Sequence, residues 1–115
     1  MKVLMSGNEA IARGAWEAGA QHATGYPGTP STEILENLQS YEDVAAEWST
    51  NEKVALDVAM GVSLAGRRAL VTMKHVGLNV ASDSLMVIPY SGCIGGLVII
   101  SADDPDLTIF PSSIT

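Results

Sequence analysis

Apolar positions along this chain recur with the strand period and the helix period in turn, and their order predicts an open α/β sheet. Residues 2–5 read as a short buried strand. Ser6 and Glu9 have capping-box spacing, in which a hydroxyl and a carboxylate satisfy the free N–H groups of a helix start. That helix runs through Ile11, Ala12, Ala15 and Trp16 to about Ala18, with Gly19 as its stop. Residues 21–24 form a second strand. The turn GYPGTPST follows over residues 25–32, with Thr29 placed to cap a helix that begins at Pro30. Ile34, Leu35 and Leu38 make one apolar stripe on that helix. Residues 43–48 are a third strand, and Ser49 and Glu52 repeat the capping-box spacing. The next helix is apolar on nearly every face from Val54 to Leu64, which predicts burial of the helix and of its start. Gly66 stops it, and Arg67 and Arg68 suit its C-terminal dipole. Residues 69–73 are a fourth strand. Residues 74–79 form a loop in which Asn79 caps a helix reaching about Ile88, and residues 89–96 are a glycine-rich turn. Residues 97–101 are a fifth buried strand, and residues 103–105 are an acidic, solvated turn.

Five strands alternating with four helices imply a parallel sheet with right-handed crossovers and helices on both faces, a three-layer α/β/α fold. At 115 residues this is one domain, spanning 1–115, and 47% hydrophobic residues supply a core built mostly from aliphatic side chains. The net charge of −7 argues against non-specific binding to nucleic acid or to an anionic membrane, since both need a basic surface. Cys93 is the only cysteine, so the chain can form no internal disulfide and no four-cysteine zinc or iron–sulfur site. A single thiol and the lack of a membrane-length apolar run fit a cytoplasmic protein.

Candidate chemistry gathers where a parallel sheet collects it, in the crevice past the carboxyl ends of the strands. Glu52 opens the apolar helix, and Lys74 and His75 close the strand that follows it. Two readings of Glu52 stand side by side: a helix-capping side chain, or an interior acid–base group. Burial disfavours its anion and the helix N-terminus favours it. Tyr26 and Thr29 are either turn and cap residues or the ligand-facing side of a βα loop. Several chemistries lack their motifs. The turn Ser6-Gly7-Asn8-Glu9 is no dinucleotide fingerprint, and there is no P-loop, G-x-S-x-G elbow, H-E-x-x-H or cysteine–histidine cluster for a metal.

The stretches GNEAIARGAWEAG, GYPGTPSTEILE, EWSTNEKVALDVAMG, ALVTMKHVGLNVASDSLM and GGLVIISADDP follow one another in order between residues 7 and 105. Together they resemble the pyrimidine-binding domain of the thiamine-diphosphate-dependent 2-oxoacid:ferredoxin oxidoreductases. Within that family the TMKHVGLN run resembles the alpha subunit of the indolepyruvate branch. The resemblance implies oxidative decarboxylation of arylpyruvates such as indolepyruvate with coenzyme A, giving an acyl-CoA, carbon dioxide and reduced ferredoxin. It implies that Glu52 hydrogen-bonds the aminopyrimidine ring of thiamine diphosphate. It places the loop of Lys74, His75, Gly77 and Asn79 beside that ring, and Tyr26, Thr29 and His75 toward the substrate. Mg²⁺ and the diphosphate are expected on a separate domain of the same or a partner chain, because this chain has no Gly-Asp-Gly stretch. The family's iron–sulfur clusters and beta subunit are likewise expected outside it. The family domain continues past the point where DLTIFPSSIT departs from its pattern, so the resemblance implies a domain incomplete at its C-terminal end, silent by itself and self-associating through exposed apolar surface. Two other readings are a non-catalytic α/β interaction module derived from that domain and a flavodoxin-like nucleotide-binding regulator.

Overall fold

A computed structural model describes residues 4–28 and 30–103. Helix α1 (Gly7–Glu17) starts from the predicted capping box: Ser6 Oγ accepts from the Glu9 N–H, and Glu9 accepts from the Ser6 N–H. Next come β1 (His22–Gly25), α2 (Thr32–Leu38), β2 (Ala45–Trp48) and α3 (Glu52–Leu64). The chain continues through β3 (Ala69–Lys74), α4 (Gly77–Val80), α5 (Ser82–Ser91) and β4 (Leu97–Ala102). The glycines predicted to stop α1 and α3 do so in the left-handed region, Gly19 at φ +86° and Gly66 at φ +92°.

All pairings are parallel, in the order β2-β1-β3-β4. Side chains of β3 alternate between two cores. Leu70 faces Ala12, Ile34, Leu35 and Leu38 of α1 and α2. Ala69, Val71 and Met73 face Ala55, Leu56 and Ala59 of α3 and Ala81 beside α5. The three-layer α/β/α fold expected from the sequence is therefore present. From β1 the chain moves outward to β2, then returns across β1 to β3 and on to β4. The direction of winding reverses between β1 and β3, which makes the carboxyl ends of those two strands the switch point of the sheet. No helix among the described residues is long and apolar enough to cross a membrane.

Several predicted elements are corrected. The strand expected over 2–5 lies partly outside the described residues; Leu4 and Met5 are described, form no strand, and leave Leu4 99% exposed. Helix α2 begins at Thr32 rather than Pro30, and the proposed cap Thr29 lies outside the described residues. Helix α3 buries one face only, with Val54 and Leu64 exposed. Arg68 donates to the Ala18 carbonyl at the end of α1, so it does not serve the α3 dipole. Asn79 caps nothing: it lies inside α4. Pro89 lies inside α5 rather than in a turn, where its ring leaves the helix one backbone donor short. Strand β4 is a half-exposed edge instead of a buried strand.

Candidate functional site at the carboxyl ends of β1 and β3

The loops leaving β1 and β3 meet at the switch point. The first carries Tyr26 and Gly28, the second His75 and Gly77, and Lys74 ends β3 itself. Glu52 enters from the start of α3. Its cap is Asn51, in extended conformation, whose side chain accepts from the Val54 N–H at 3.0 Å. This overturns the Ser49–Glu52 capping box. An asparagine immediately before the first helical residue was the signal for it, outweighed in the sequence by the S-x-x-E spacing. Capping by Asn51 leaves the Glu52 carboxylate without a local task. Glu52 is 8% exposed and forms no hydrogen bond or ion pair among the described residues. It stands in the first turn of α3.

Gly77 explains where the Glu52 side chain rests. A Cβ built on Gly77 would sit 2.7 Å from both Cγ and Oε2 of Glu52, so any larger residue there would have to displace the Glu52 side chain. A second approach of this kind joins the two loops. A Cβ on Gly28 would lie 2.9 Å from Lys74 Cδ and 3.2 Å from its Cγ. The Lys74 stem is thereby laid along the turn that follows β1.

The remaining candidates are less closely gathered. His75 donates its backbone N–H to the Ala102 carbonyl at 2.9 Å, and its Nδ1 lies 3.4 Å from Asp103 Oδ1. This ties the end of β3 to the end of β4 and gives Asp103 a partner that the solvated-turn reading had not foreseen. Tyr26 is 39% exposed at the rim. Asn79 is exposed, and its carbonyl accepts from the Ser82 hydroxyl at 2.8 Å. Its side chain makes no contact with Glu52 that would bring it into the crevice. Thr29 lies outside the described residues. Among the described residues no group of three or more histidine, cysteine or carboxylate side chains could hold a metal ion.

Comparison with known proteins gives this geometry a context. No family model matches the chain. The IorA subunit of indolepyruvate oxidoreductase from Archaeoglobus fulgidus is 53% identical over 92% of this chain and 18% of its own length. The IorA subunit from Pyrococcus abyssi is 51% identical over 92% of this chain and 17% of its own. The chain thus spans less than a fifth of the length of either of these relatives. Among solved structures, the 2-oxoglutarate:ferredoxin oxidoreductase from Magnetococcus marinus, with 2-oxoglutarate, coenzyme A and succinyl-CoA bound, superposes with a TM-score of 0.82. That match covers 88% of this chain and 18% of the other, at 21% identity, and establishes the shared fold. At about half identity over nine-tenths of its own length, the chain is similar to one segment of the IorA subunits of indolepyruvate oxidoreductase.

Proposed function

We propose that the described residues are the pyrimidine-binding domain of a thiamine-diphosphate-dependent oxidoreductase that oxidatively decarboxylates arylpyruvates such as indolepyruvate, with coenzyme A as acyl acceptor and ferredoxin as electron acceptor. One observation carries the reading: a carboxylate at 8% exposure, without a partner among the described residues, faces the switch-point crevice from a helix N-terminus. Thiamine diphosphate, when bound, supplies a nucleophilic carbon and an electron sink for cleaving a 2-oxoacid.

The cradle fits an aminopyrimidine ring. Glu52 is already capped out of any structural duty by Asn51, and its Oε2 is pinned against Gly77. In the proposed complex Glu52 holds a proton at its carboxyl oxygen against the ring nitrogen, which is the acid–base work a dry carboxylate does well. The α4 backbone at Gly77 closes one side of the cradle. Lys74 and His75 line the strand end beside it, with Asn79 further along α4. Tyr26 and His75 belong to the substrate side in this reading, and Thr29, outside the described residues, is assigned there by the family resemblance alone. Mg²⁺ and the diphosphate belong to a separate domain of the same or a partner chain. Iron–sulfur clusters, the beta subunit and ferredoxin complete the electron path elsewhere in a cytoplasmic assembly.

The test uses the full-length subunit with its partner, expressed without oxygen. Viologen reduction is followed with indolepyruvate, coenzyme A and Mg²⁺–thiamine diphosphate, for wild type and Glu52→Gln. A loss of ~10²-fold or more in the variant is expected, the scale of a positioned acid–base group. Full activity in Glu52→Gln would reduce Glu52 to a packing residue and remove the basis of the assignment.

A further inference from the structure

Five of the chain's six basic residues lie among the described residues, and four of them are engaged. Arg13 pairs with Glu17, and Lys53 with Asp57 and Asp83. Arg67 donates to Gln21 Oε1, and Arg68 to the Ala18 carbonyl. Lys74 is the exception: it has no ion pair and no hydrogen bond among the described residues. In a chain with thirteen acidic residues against six basic ones, an ammonium group is surrounded by potential partners. The Lys74 stem lies half-buried on Gly28, with contacts of 2.9 to 3.3 Å from a Cβ built there to Lys74 Cδ, Cγ and Cβ. The free cation stands at the last residue of β3, beside the switch point. Glu52 reaches the same crevice and rests on Gly77, three residues further along the chain from Lys74. No oxygen of Glu52 lies within 4.0 Å of the Lys74 amine, so the two groups form no ion pair.

We infer that Lys74 anchors the carboxylate of the 2-oxoacid substrate. This rests on the reading of the Glu52 crevice as a 2-oxoacid site. A 2-oxoacid carries its carboxylate one bond from the carbonyl that reacts, so its anion must sit close to the reacting centre. In a crevice of reduced dielectric that anion needs a charge-assisted donor, and Lys74 is the described cation free to supply one. A single ammonium matches a singly charged carboxylate. The multiply charged phosphates of coenzyme A would call for several cations, and no second described one is free beside the crevice. The carboxylate is lost as carbon dioxide during the reaction, so holding it strengthens substrate binding more than it stabilises the transition state. Removing the charge is therefore expected to raise KM and to spare kcat.

The experiment compares wild type, Lys74→Met and Lys74→Arg in the full-length assembled enzyme, with Glu52→Gln alongside. Methionine keeps an unbranched stem on Gly28 and removes the charge. Lys74→Met is expected to raise KM for indolepyruvate about tenfold or more, as for loss of a hydrogen bond to a charged group. Its kcat and its KM for coenzyme A stay near wild type. Competitive inhibition by indoleacetate, read on the same enzyme, weakens by a matching factor, and Lys74→Arg falls between the two. An unchanged KM for indolepyruvate, or a rise confined to coenzyme A, would overturn the assignment even with Glu52→Gln inactive. Glu52→Gln retaining full activity would sink the underlying reading and this one with it. Should Lys74→Met fail to assemble, Lys74→Gln is read by the same criteria.

Discussion

Gly77 shows how one missing methyl group sets a site. Alanine is the better helix former by ~1 kcal/mol, so propensity alone favours Gly77→Ala in α4. Contact decides the opposite way, because the new Cβ would stand 2.7 Å from Glu52 Cγ and Oε2. Forcing apart a close-packed pair typically costs ~1–3 kcal/mol, so Gly77→Ala is expected to destabilise the chain by roughly 1 kcal/mol or more after the propensity gain. Truncating the partner should relieve the clash. The double variant Glu52→Ala/Gly77→Ala is then more stable than the two single losses added together, by about 0.5 kcal/mol or more. Urea unfolding of the four species measures that coupling, and strict additivity would deny the contact. The sequence made Glu52 visible as the one acidic group opening an apolar helix, and Gly77 visible as part of a strand-end loop. It could not show that the two touch. A contact across 25 residues is decided by how α4 lies on α3, and no local period encodes that. Asn51 was within reach, since a residue with a short polar side chain directly before a helix is its natural cap.

Between elements, the tie of α3 to α5 is polar as well as apolar. Ser84, 3% exposed, donates to Asp57 Oδ1 at 2.5 Å, and Lys53 reaches Asp57 at 3.1 Å. The Ser84 hydroxyl and, after it, Lys53 hold the Asp57 carboxyl below its ordinary value of 3.8, against an opposing push from burial. A carboxyl lowered in the folded state adds stability above its unfolded pKa, and that stability is lost as pH falls through the folded value. Ser84→Ala is therefore expected to cost about 1 kcal/mol at neutral pH, kept small because Asp57 is half exposed. The difference from wild type should shrink as pH drops below 3.8, where Asp57 protonates in both chains. Thermal unfolding across pH 2.5–7 is the check, and a gap that is constant with pH would separate Ser84 from the charge on Asp57. At this scale the sequence was most legible where apolar period and stop residue agreed, as in α1, α3 and β3. It failed at α4 and α5. Two helices separated at Ala81 carry the same apolar content as one helix, and Pro89, which looked like part of a turn, lies inside α5.

For the whole molecule the two edges of the sheet differ. Strand β2 alternates exposed and half-buried positions and carries Glu47, as an edge strand does. Strand β4 does not. Leu97, Val98, Ile99 and Ile100 are apolar on both faces, the composition of an interior strand in a parallel sheet, yet Val98 is 55% exposed. Apolar grooves flank it on both sides. One, of about 420 Å³, lies between α1 and β4 and includes Ile11, Ala15, Val98 and Ile100. The other, of about 490 Å³, lies between α5 and β4 and includes Leu85, Met86, Ile88 and Ile99. Neither borders Glu52, so neither serves the crevice at the switch point. Tyr90 and Ile94 extend the exposed apolar surface near the second groove, at 91% and 76% exposure. An edge that no described element covers pairs readily with another edge, and for the 115-residue chain in isolation that is a second copy. Light scattering over a concentration series should show mass rising above the monomer. The net charge of −7 on each copy opposes this contact, so added salt should strengthen it by screening. Val98→Lys places a charge at the exposed apolar position of β4, where it should restore the monomer and leave the circular dichroism of the fold unchanged. Monodisperse monomer of the wild-type chain at millimolar concentration and high salt would mean that the β4 edge is not adhesive. Association that survives Val98→Lys would move the contact to another face.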